Sequence, residues 1–265
     1  MNEPASLDRA LDVSLVADGR YALAVPEGWA QGRGAFGGLV LGAMLRAVTR
    51  AEPDPARRVR SVTGEIPAPV LPNLAEITVE PLRRGANVST WRATMLQGGE
   101  IVAQLVAVLG AARPITPRWV TLTPPDARWQ DAPVVPFIEG VTPVFAKAFE
   151  YRALPPFPYS AADEATVQGW VRPRAPAAVR DAGYIAALAD AFWPALLVRA
   201  DAPRATATIA FSMQIVGAPT TTEEPLCFRA AAPVLDEGYS VEFRELWTPA
   251  GELVALNQQT FVVMR

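Results

Sequence analysis

The hydrophobic pattern of this chain of 265 residues separates into runs of alternating apolar and polar positions and two stretches that are apolar on nearly every side. Alternation with a period of two predicts strands. A helix that is apolar all round must be buried, so we expect strands to wrap around each helical stretch. The main strand candidates are 59–67, 74–82, 88–96 and 101–110, then 204–216, 226–235, 239–247 and 252–264.

The two predicted helices run from Gly37 to Val48 and from Gly183 to Leu197, and the second carries Asp190 in its middle. A buried carboxylate has to be hydrogen-bonded, protonated or used in chemistry. Pro194 has no N–H for the carbonyl of residue 190, and its ring crowds that carbonyl. We therefore expect the helix to kink or end beside Asp190. The acid is either a structural residue bonded to a neighbouring loop or part of a functional site.

Weaker patterns fill the remainder of the chain. Two strands joined near Asp18 are expected within 8–26, and shorter strand character returns at 144–154 and 169–172. Residues 28–38 are rich in glycine and are predicted to form a loop anchored by aromatic side chains.

The two halves of the chain repeat. Gly99–Ala103 and Gly251–Ala255 have nearly the same sequence, and each precedes a long apolar strand. Each half therefore runs as strands, one apolar helix and then four strands, which predicts two similar units sharing one continuous sheet. We place the units at residues 1–112 and 143–265, joined by an ordered proline-rich linker at 113–142.

Composition narrows the chemistry. The chain has no histidine, which excludes mechanisms with a histidine base and the usual zinc sites. Its single cysteine, Cys227, excludes an internal disulfide and is expected to be a buried thiol. The net charge of −3 gives no indication of nucleic-acid binding. The N-terminus does not resemble a signal peptide, and no segment has the length of apolar sequence that a membrane helix needs, so we expect a cytoplasmic protein.

Three stretches resemble one known group of proteins. They are Phe36–Gly42, which begins with Phe-Gly-Gly; Tyr184–Asp190; and Gly251–Ala255, followed by Gln259. These stretches are similar to the bacterial acyl-CoA thioesterase II group, which is TesB-like. The resemblance covers nearly the whole chain and implies an α+β double hotdog fold, in which each of two tandem units wraps a curved antiparallel sheet around one helix.

The resemblance implies the reaction and its residues. In that group an Asp, a Thr or Ser, and a Gln hold the water that attacks an acyl-CoA thioester, and they correspond here to Asp190, Thr208 and Gln259. Thr206 and Ser212 are expected on the same strand face as Thr208 and stay as alternatives. Gln258 is the rival of Gln259 and lies on the opposite face. The strand departs from the group's pattern because Ala-Phe follows one residue after Thr208, where Asp-His is common.

The start of the first helix is the expected site for the thioester oxygen. Backbone N–H groups at a helix N-terminus can stabilise an oxyanion, and glycine lets a substrate approach them closely. We therefore assign Gly37 and Gly38, with Phe36, to oxyanion and substrate binding; the alternative is that the glycines serve only tight packing of the helix on the sheet. The expected hydrolysis needs no cofactor and no metal.

Other possibilities stay open from the sequence. The expected partners are the acyl-CoA substrate and further copies of the chain in a homodimer or higher homo-oligomer, with neither nucleic acid nor membrane insertion. A double hotdog protein that binds acyl-CoA without turning it over is the alternative function. A hotdog dehydratase or hydratase ranks below it because such enzymes usually use histidine. Five aromatic residues are candidates for either an acyl tunnel or the core: Trp29, Phe36, Phe192, Trp193 and Phe211.

Overall fold

The computed structural model describes residues 4–218 and 223–264. In the first half of the chain the elements are α1 (Leu7–Ala10), β1 (Ser14–Ala17), β2 (Arg20–Ala24), β3 (Ala30–Gln31), β4 (Gly34–Ala35), α2 (Gly37–Ala51), β5 (Arg58–Glu65), β6 (Leu74–Arg84), β7 (Val88–Gln97) and β8 (Glu100–Gly110). In the second half they are β9 (Phe149–Leu154), β10 (Thr166–Pro173), α3 (Ala182–Asp190), β11 (Thr206–Ile215), β12 (Leu226–Asp236), β13 (Tyr239–Trp247) and β14 (Leu253–Val263). Short 3₁₀ helices lie at Trp129–Asp131, Val144–Ala148 and Ala195–Val198.

Twelve of the strands form one continuous antiparallel sheet in the order β1-β2-β6-β7-β8-β5-β11-β14-β13-β12-β10-β9. The two halves meet where β5 pairs with β11, with Thr63 opposite Ser212. The prediction of a shared continuous sheet is therefore confirmed. The short strands β3 and β4 form a separate hairpin within the predicted loop at 28–38. The boundaries of the two units and of the linker stay predictions.

The two long helices, α2 and α3, pack against each other at the centre of the sheet. A Cβ atom added to Gly42 would lie 2.8 Å from the carbonyl oxygen of Gly183, so the helices can approach this closely only with glycine at the crossing. The buried Arg46 of α2 donates through Nε to Oδ2 of Asp181 at 3.1 Å, and Asp181 caps the N-terminus of α3. Packing and an ion pair therefore fix the helices together.

The helix with the buried acid is shorter than the apolar pattern suggested. As expected from Pro194, α3 ends at Asp190, and the chain resumes as a 3₁₀ turn rather than as α-helix.

Two predicted strand starts were wrong. Residues 7–10 form α1, whose N-cap Ser6 accepts a hydrogen bond from the Arg9 N–H, and residues 144–148 form a 3₁₀ helix before β9 begins.

Two further expectations concern the burial of Cys227 and the length of the apolar helices. Cys227 is buried, and burial raises the pKa of its thiol to about 12, so the prediction of a buried thiol is confirmed. Within residues 4–218 and 223–264 no helix is both long and apolar enough to cross a membrane.

Candidate active site

Asp190 lies where the two halves of the molecule meet. It is the last residue of α3, its exposed fraction is 6%, and its carboxylate faces the N-terminus of α2. The backbone N–H of Gly38 donates to this carboxylate. A Cβ atom on Gly37 would lie 2.9 Å from Asp190 Oδ2, so a side chain at that position would collide with the acid. One half therefore supplies the acid, and the other supplies the helix end that faces it.

The three predicted catalytic side chains form one chain of hydrogen bonds. Thr208 Oγ1 donates to Gln259 Oε1 at 3.0 Å, and Gln259 Nε2 donates to Asp190 Oδ1 at 2.9 Å. The same Nε2 donates to Asn257 Oδ1 at 3.0 Å, so both amide hydrogens of the buried Gln259 have acceptors. An ionised carboxylate only accepts, which orients the amide nitrogen towards Asp190 and the amide oxygen towards the hydroxyl. Gln258 lies on the opposite face and is exposed, as expected.

The structure separates Thr208 from Ser212, whereas Thr206 keeps the face of Thr208. The pairing of β11 with β14 contains a β-bulge between Thr208 and Ala210, which shifts the alternation of side chains by one position. Ser212 is therefore out of phase with Thr208, and its Oγ accepts a hydrogen bond from Gln214 Nε2 at 3.1 Å instead. The expectation that Ser212 shares the face of Thr208 was wrong because the sequence pattern does not reveal a bulge. Thr206 lines a neighbouring cavity.

Sequence reasoning missed two charged residues at this site, Glu242 and Arg244 of β13. Arg244 Nη1 donates to the carbonyl oxygen of Ala189 at 2.9 Å and lies 3.5 Å from Asp190 Oδ1. Its Nε donates to Glu242 Oε1 at 2.7 Å, and Glu242 Oε2 accepts from the Ala195 N–H at 2.6 Å. Both charged side chains are almost fully buried. The pair therefore ties β13 to the end of α3 on both sides of the acid.

Strand β13 places charged side chains on its inward face and an aromatic one on its outward face. Phe243 is 50% exposed, whereas Glu242 and Arg244 on either side of it face inwards. The available signal was a pair of opposite charges two residues apart on the strand face that also carries the apolar Leu246. Such a pair on an inward face indicates a buried ion pair.

Opposing influences act on the pKa of Asp190. Burial is the largest and raises the pKa, and the negative charge of Glu242 raises it further. The positive charge of Arg244 and the hydrogen bonds from Gln259 and Gly38 lower it, but the pKa stays above its ordinary value of 3.8. A carboxylate with a raised pKa is a better proton acceptor near neutral pH, which is what general base catalysis requires.

Arg244 keeps one unused donor. Its Nη2 is buried and has no hydrogen-bond partner among the described residues, although the guanidinium lies 5.4 Å from the ring centre of Phe228 and 5.2 Å from that of Phe261. The positive charge also sits beside the last carbonyls of α3, where a helix favours a cation. Arg244 therefore offsets two sources of negative potential, the helix end and the carboxylate.

The residues assigned to substrate binding are close together. Phe36 is the N-cap of α2 and is fully buried, and its ring stacks on that of Phe145 with centroids 4.0 Å apart. A Cβ atom on Gly38 would lie 2.5 Å from Cζ of Phe36 and 2.9 Å from the Cα of Ala187, so this glycine is needed for packing against the Phe36 ring and α3 rather than against the sheet. The roles of Phe36, Gly37 and Gly38 in binding stay predictions.

An apolar cavity of about 500 Å³ adjoins the acid. Ala191, the residue after Asp190, is part of its wall, and the Tyr151 hydroxyl in the same wall donates to the Ala191 carbonyl at 3.1 Å. Of the five aromatic residues considered for a tunnel, Phe192 and Trp193 line this cavity. The others belong to the buried core: Trp29, Phe36 and Phe211.

Two family models match the two halves of the chain. Residues 25–110 match the acyl-CoA thioesterase N-terminal domain, and residues 112–263 match the acyl-CoA thioesterase C-terminal domain. Among curated proteins, no significant match to the chain was found.

Three solved structures are similar over 98% of this chain and 98% of their own. A hot dog fold protein of unknown function from Alicyclobacillus acidocaldarius shares 23% identity, with a TM-score of 0.86. The acyl-CoA thioesterase II TesB2 from Mycobacterium marinum shares 21%, with a TM-score of 0.78. The tesB protein from Mycobacterium avium subs paratuberculosis shares 18%, with a TM-score of 0.80. The expected double hotdog fold is thus confirmed, and because the two domain matches together span most of the sequence, the chain belongs to the acyl-CoA thioesterase family.

Proposed function

We propose that this protein hydrolyses an acyl-CoA thioester to a free acid and CoA, with Asp190 as the general base. The observation that carries the proposal is the chain of hydrogen bonds from the half-buried Thr208 through the buried Gln259 to Asp190, which ends at the glycine-rich start of α2. Asp190 and Gln259 are buried, and burying such polar side chains costs free energy unless hydrogen bonds replace those with water.

The arrangement can hold a water molecule in one orientation. After accepting from Thr208, Gln259 Oε1 keeps a second lone pair, and Asp190 Oδ2 is not used by Gln259. A water that donates one hydrogen to the carboxylate and the other to the amide or hydroxyl oxygen directs a lone pair away from both. That lone pair attacks the thioester carbon, and Asp190 takes the proton. When the carbon–sulfur bond breaks, the proton passes from Asp190 to the leaving thiolate.

The N-terminus of α2 lies beside the group that carries the negative charge at each of these reaction steps. In the free protein the Gly38 N–H points at the carboxylate, where the positive end of the helix favours an anion. As Asp190 becomes protonated, the charge moves to the thioester oxygen. We propose that the N–H groups of Gly37 and Gly38 then face that oxygen, which is the arrangement that stabilises a tetrahedral intermediate.

The test is release of thiol from a panel of acyl-CoA esters by the wild-type protein and by Asp190→Asn. General base catalysis contributes about 10²–10⁴-fold, so we expect a loss in that range in the variant, with an unchanged circular dichroism spectrum. Asp126→Asn, which removes an exposed aspartate, is the matched control and should keep full activity.

Two results would contradict the proposal. Equal turnover by Asp190→Asn and wild type would show that the acid is structural. Tight binding of acyl-CoA without thiol release by the wild type would favour the non-catalytic binding protein.

The expected homo-oligomer stays a prediction, and analytical ultracentrifugation of the same preparation measures the oligomeric state.

A further inference from the structure

Arg244 lies between two buried carboxylates. Its Nη1 lies 3.5 Å from Asp190 Oδ1, and its Nε donates to Glu242 Oε1 at 2.7 Å. The exposed fraction of the side chain is 1% for Arg244, 4% for Asp190 and 0% for Glu242. One positive charge is therefore shared by two negative charges in the protein interior, where solvent and salt screen their interaction only weakly.

The two ion contacts of Arg244 are unequal. The contact of 2.7 Å with Glu242 has the length of a charge-assisted hydrogen bond, whereas the contact of 3.5 Å with Asp190 is longer than such bonds usually are. Asp190 Oδ1 receives its shorter bond, at 2.9 Å, from the neutral amide of Gln259. Glu242 thus holds the guanidinium closely, and Asp190 is not in a tight ion pair. A tight ion pair would favour the ionised form of Asp190 and make it a poor base.

The same pair fixes the backbone around the acid. Arg244 Nη1 donates to the carbonyl oxygen of Ala189 at 2.9 Å, and Glu242 Oε2 accepts from the Ala195 N–H at 2.6 Å. Ala189 precedes Asp190, and Ala195 follows it after the end of α3. The last carbonyl groups of a helix have no partner within the helix, so the contact with Arg244 satisfies one of them. Strand β13 therefore holds the chain on both sides of Asp190.

Other groups that face Asp190 carry no charge near neutral pH. Tyr151 of β9 is buried, and burial together with the negative charge of Asp190 raises the pKa of its hydroxyl well above the ordinary value. Strand β14 contributes the amide of Gln259, and α2 contributes the backbone N–H of Gly38. The ionic environment of the acid is therefore set by the two charged residues of β13.

We propose that Arg244 and Glu242 are positioning residues of the hydrolysis: Arg244 holds the end of α3 and its carboxylate in place, and Glu242 binds the guanidinium so that Asp190 can still accept a proton. The inference rests on the proposed thioesterase function and adds two residues to its machinery. Both residues act through Asp190, and neither has to contact the substrate.

The two charges act on Asp190 in opposite directions. The positive charge of Arg244 lowers the pKa of the Asp190 carboxyl group, and the negative charge of Glu242 raises it by a smaller amount. Loss of Arg244 should therefore raise this pKa, and loss of Glu242 should lower it. Because the ionised form is the base, the acid limb of a plot of kcat/KM against pH follows the pKa of Asp190 in the free enzyme.

The experiment records this plot for the wild type, Glu242→Gln, Arg244→Met and the double variant, with the acyl-CoA ester of the panel that the wild type hydrolyses fastest. We expect the acid limb to move to lower pH in Glu242→Gln and to higher pH in Arg244→Met. The limb of the double variant should lie between those of the wild type and Arg244→Met, because the effect of Arg244 is the larger one. If Arg244→Met does not fold, Glu242→Gln and the double variant decide, since they too should move in opposite directions.

Arg244→Lys separates charge from anchoring. Lysine keeps the positive charge but lacks the planar fork that binds Ala189 and Glu242 at once. We expect its acid limb to stay near that of the wild type and its kcat/KM on the plateau to fall by about 10²-fold, because a small misplacement of a reacting group costs this much. Arg229→Met is the matched control. Arg229 Nε donates to Glu245 Oε2 at 3.1 Å on the opposite face of the sheet, and its loss should change neither quantity.

Two results would overturn the inference while leaving the hydrolysis intact. One is an acid limb that moves in the same direction in Glu242→Gln and the double variant, and the other is a limb that stays in place in both. If the wild type releases no thiol from any ester, the proposed hydrolysis fails on its own. The ionisation of Asp190 is then followed by ¹³C NMR of labelled aspartate, with Asp190→Asn to assign the signal. Titration of Asp190 in the expected order would support the inference, and the same titration in all variants would overturn it.

Discussion

The two halves of the sheet place different side chains at equivalent positions. The repeat that aligns Gly99 with Gly251 also aligns Ala107 with Gln259 and Leu105 with Asn257. The neighbouring strand in each half adds two more equivalent positions. In the first half Trp91 lies opposite Ala107 and Ala93 opposite Leu105. In the second half Glu242 lies opposite Gln259 and Arg244 opposite Asn257. All eight side chains are buried. The first half fills these four places with apolar groups, and the second fills them with an ion pair and two amides.

This difference shows what the fold needs and what it does not. The apolar set demonstrates that the unit folds around its helix without polar groups at these positions. Burying charges and amides costs desolvation free energy that hydrogen bonds only partly return. The second half therefore accepts a cost that the first half avoids, and it does so where α3 ends in an acid.

The two helices also contribute different groups to the site. The 15 residues of α2 begin with glycines and have no acidic residue in the first turn, whereas the 9 residues of α3 end at Asp190. One half thus supplies an open helix N-terminus and the other supplies the carboxylate that faces it. Neither half by itself contains the candidate site.

The largest expected effect on stability comes from replacing Arg244 by alanine, the residue at the equivalent position Ala93 of the first half. Arg244→Ala leaves Glu242 and Asp190 buried without their positive partner, and breaking a buried ion pair costs about 3–5 kcal/mol. Urea unfolding at neutral pH measures this. Because burial raises the pKa of Glu242, the destabilisation should shrink as the pH falls and the carboxyl groups take up protons.

A double variant sharpens that result. Glu242→Gln combined with Arg244→Met removes both charges and should recover most of the lost stability. If the double variant is as unstable as Arg244→Ala, the side chains matter through packing, and the assignment of a buried charge pair is wrong.

Replacing Gln259 by the alanine of the other half should reduce kcat/KM by about 10²-fold, because the water and the carboxylate lose the group that orients them. The hydrogen bond from Gln259 lowers the pKa of Asp190, so its loss raises that pKa. Since the ionised form is the base, the acid limb of the pH–rate profile should move to higher pH. Gln258→Ala, at the exposed neighbouring position, should change neither quantity; an equal loss there would contradict the role of Gln259.

The smallest expected effect is that of the hydroxyl. Thr208→Val keeps the shape of the side chain and removes one neutral hydrogen bond, which corresponds to about tenfold in rate. Ser212→Ala is the control on the same strand and should retain full activity. A larger loss in Ser212→Ala or in Thr206→Val than in Thr208→Val would reassign the active-site hydroxyl.

Much of this protein followed from its sequence. Period-two alternation located the strands of both halves to within a few residues, because one face of each strand is buried. Pro194 indicated that α3 would end near Asp190, because proline cannot supply the N–H that the helix needs. The resemblance then named Asp190, Thr208 and Gln259 together, and the structure brings all three into one hydrogen-bonded chain.

Three features were decided by the tertiary structure alone. The bulge after Thr208 depends on how β11 pairs with β14, so the alternation in the sequence assigned Ser212 to the wrong face. Glu242 and Arg244 turn inwards while Phe243 turns outwards, because the end of α3 supplies partners that lie about fifty residues away in the chain. Part of the cavity wall is the proline-rich segment, which pairs with β9, and the local sequence does not reveal that pairing. Local patterns specify elements, whereas burial of charge and the shape of a cavity depend on which distant elements meet.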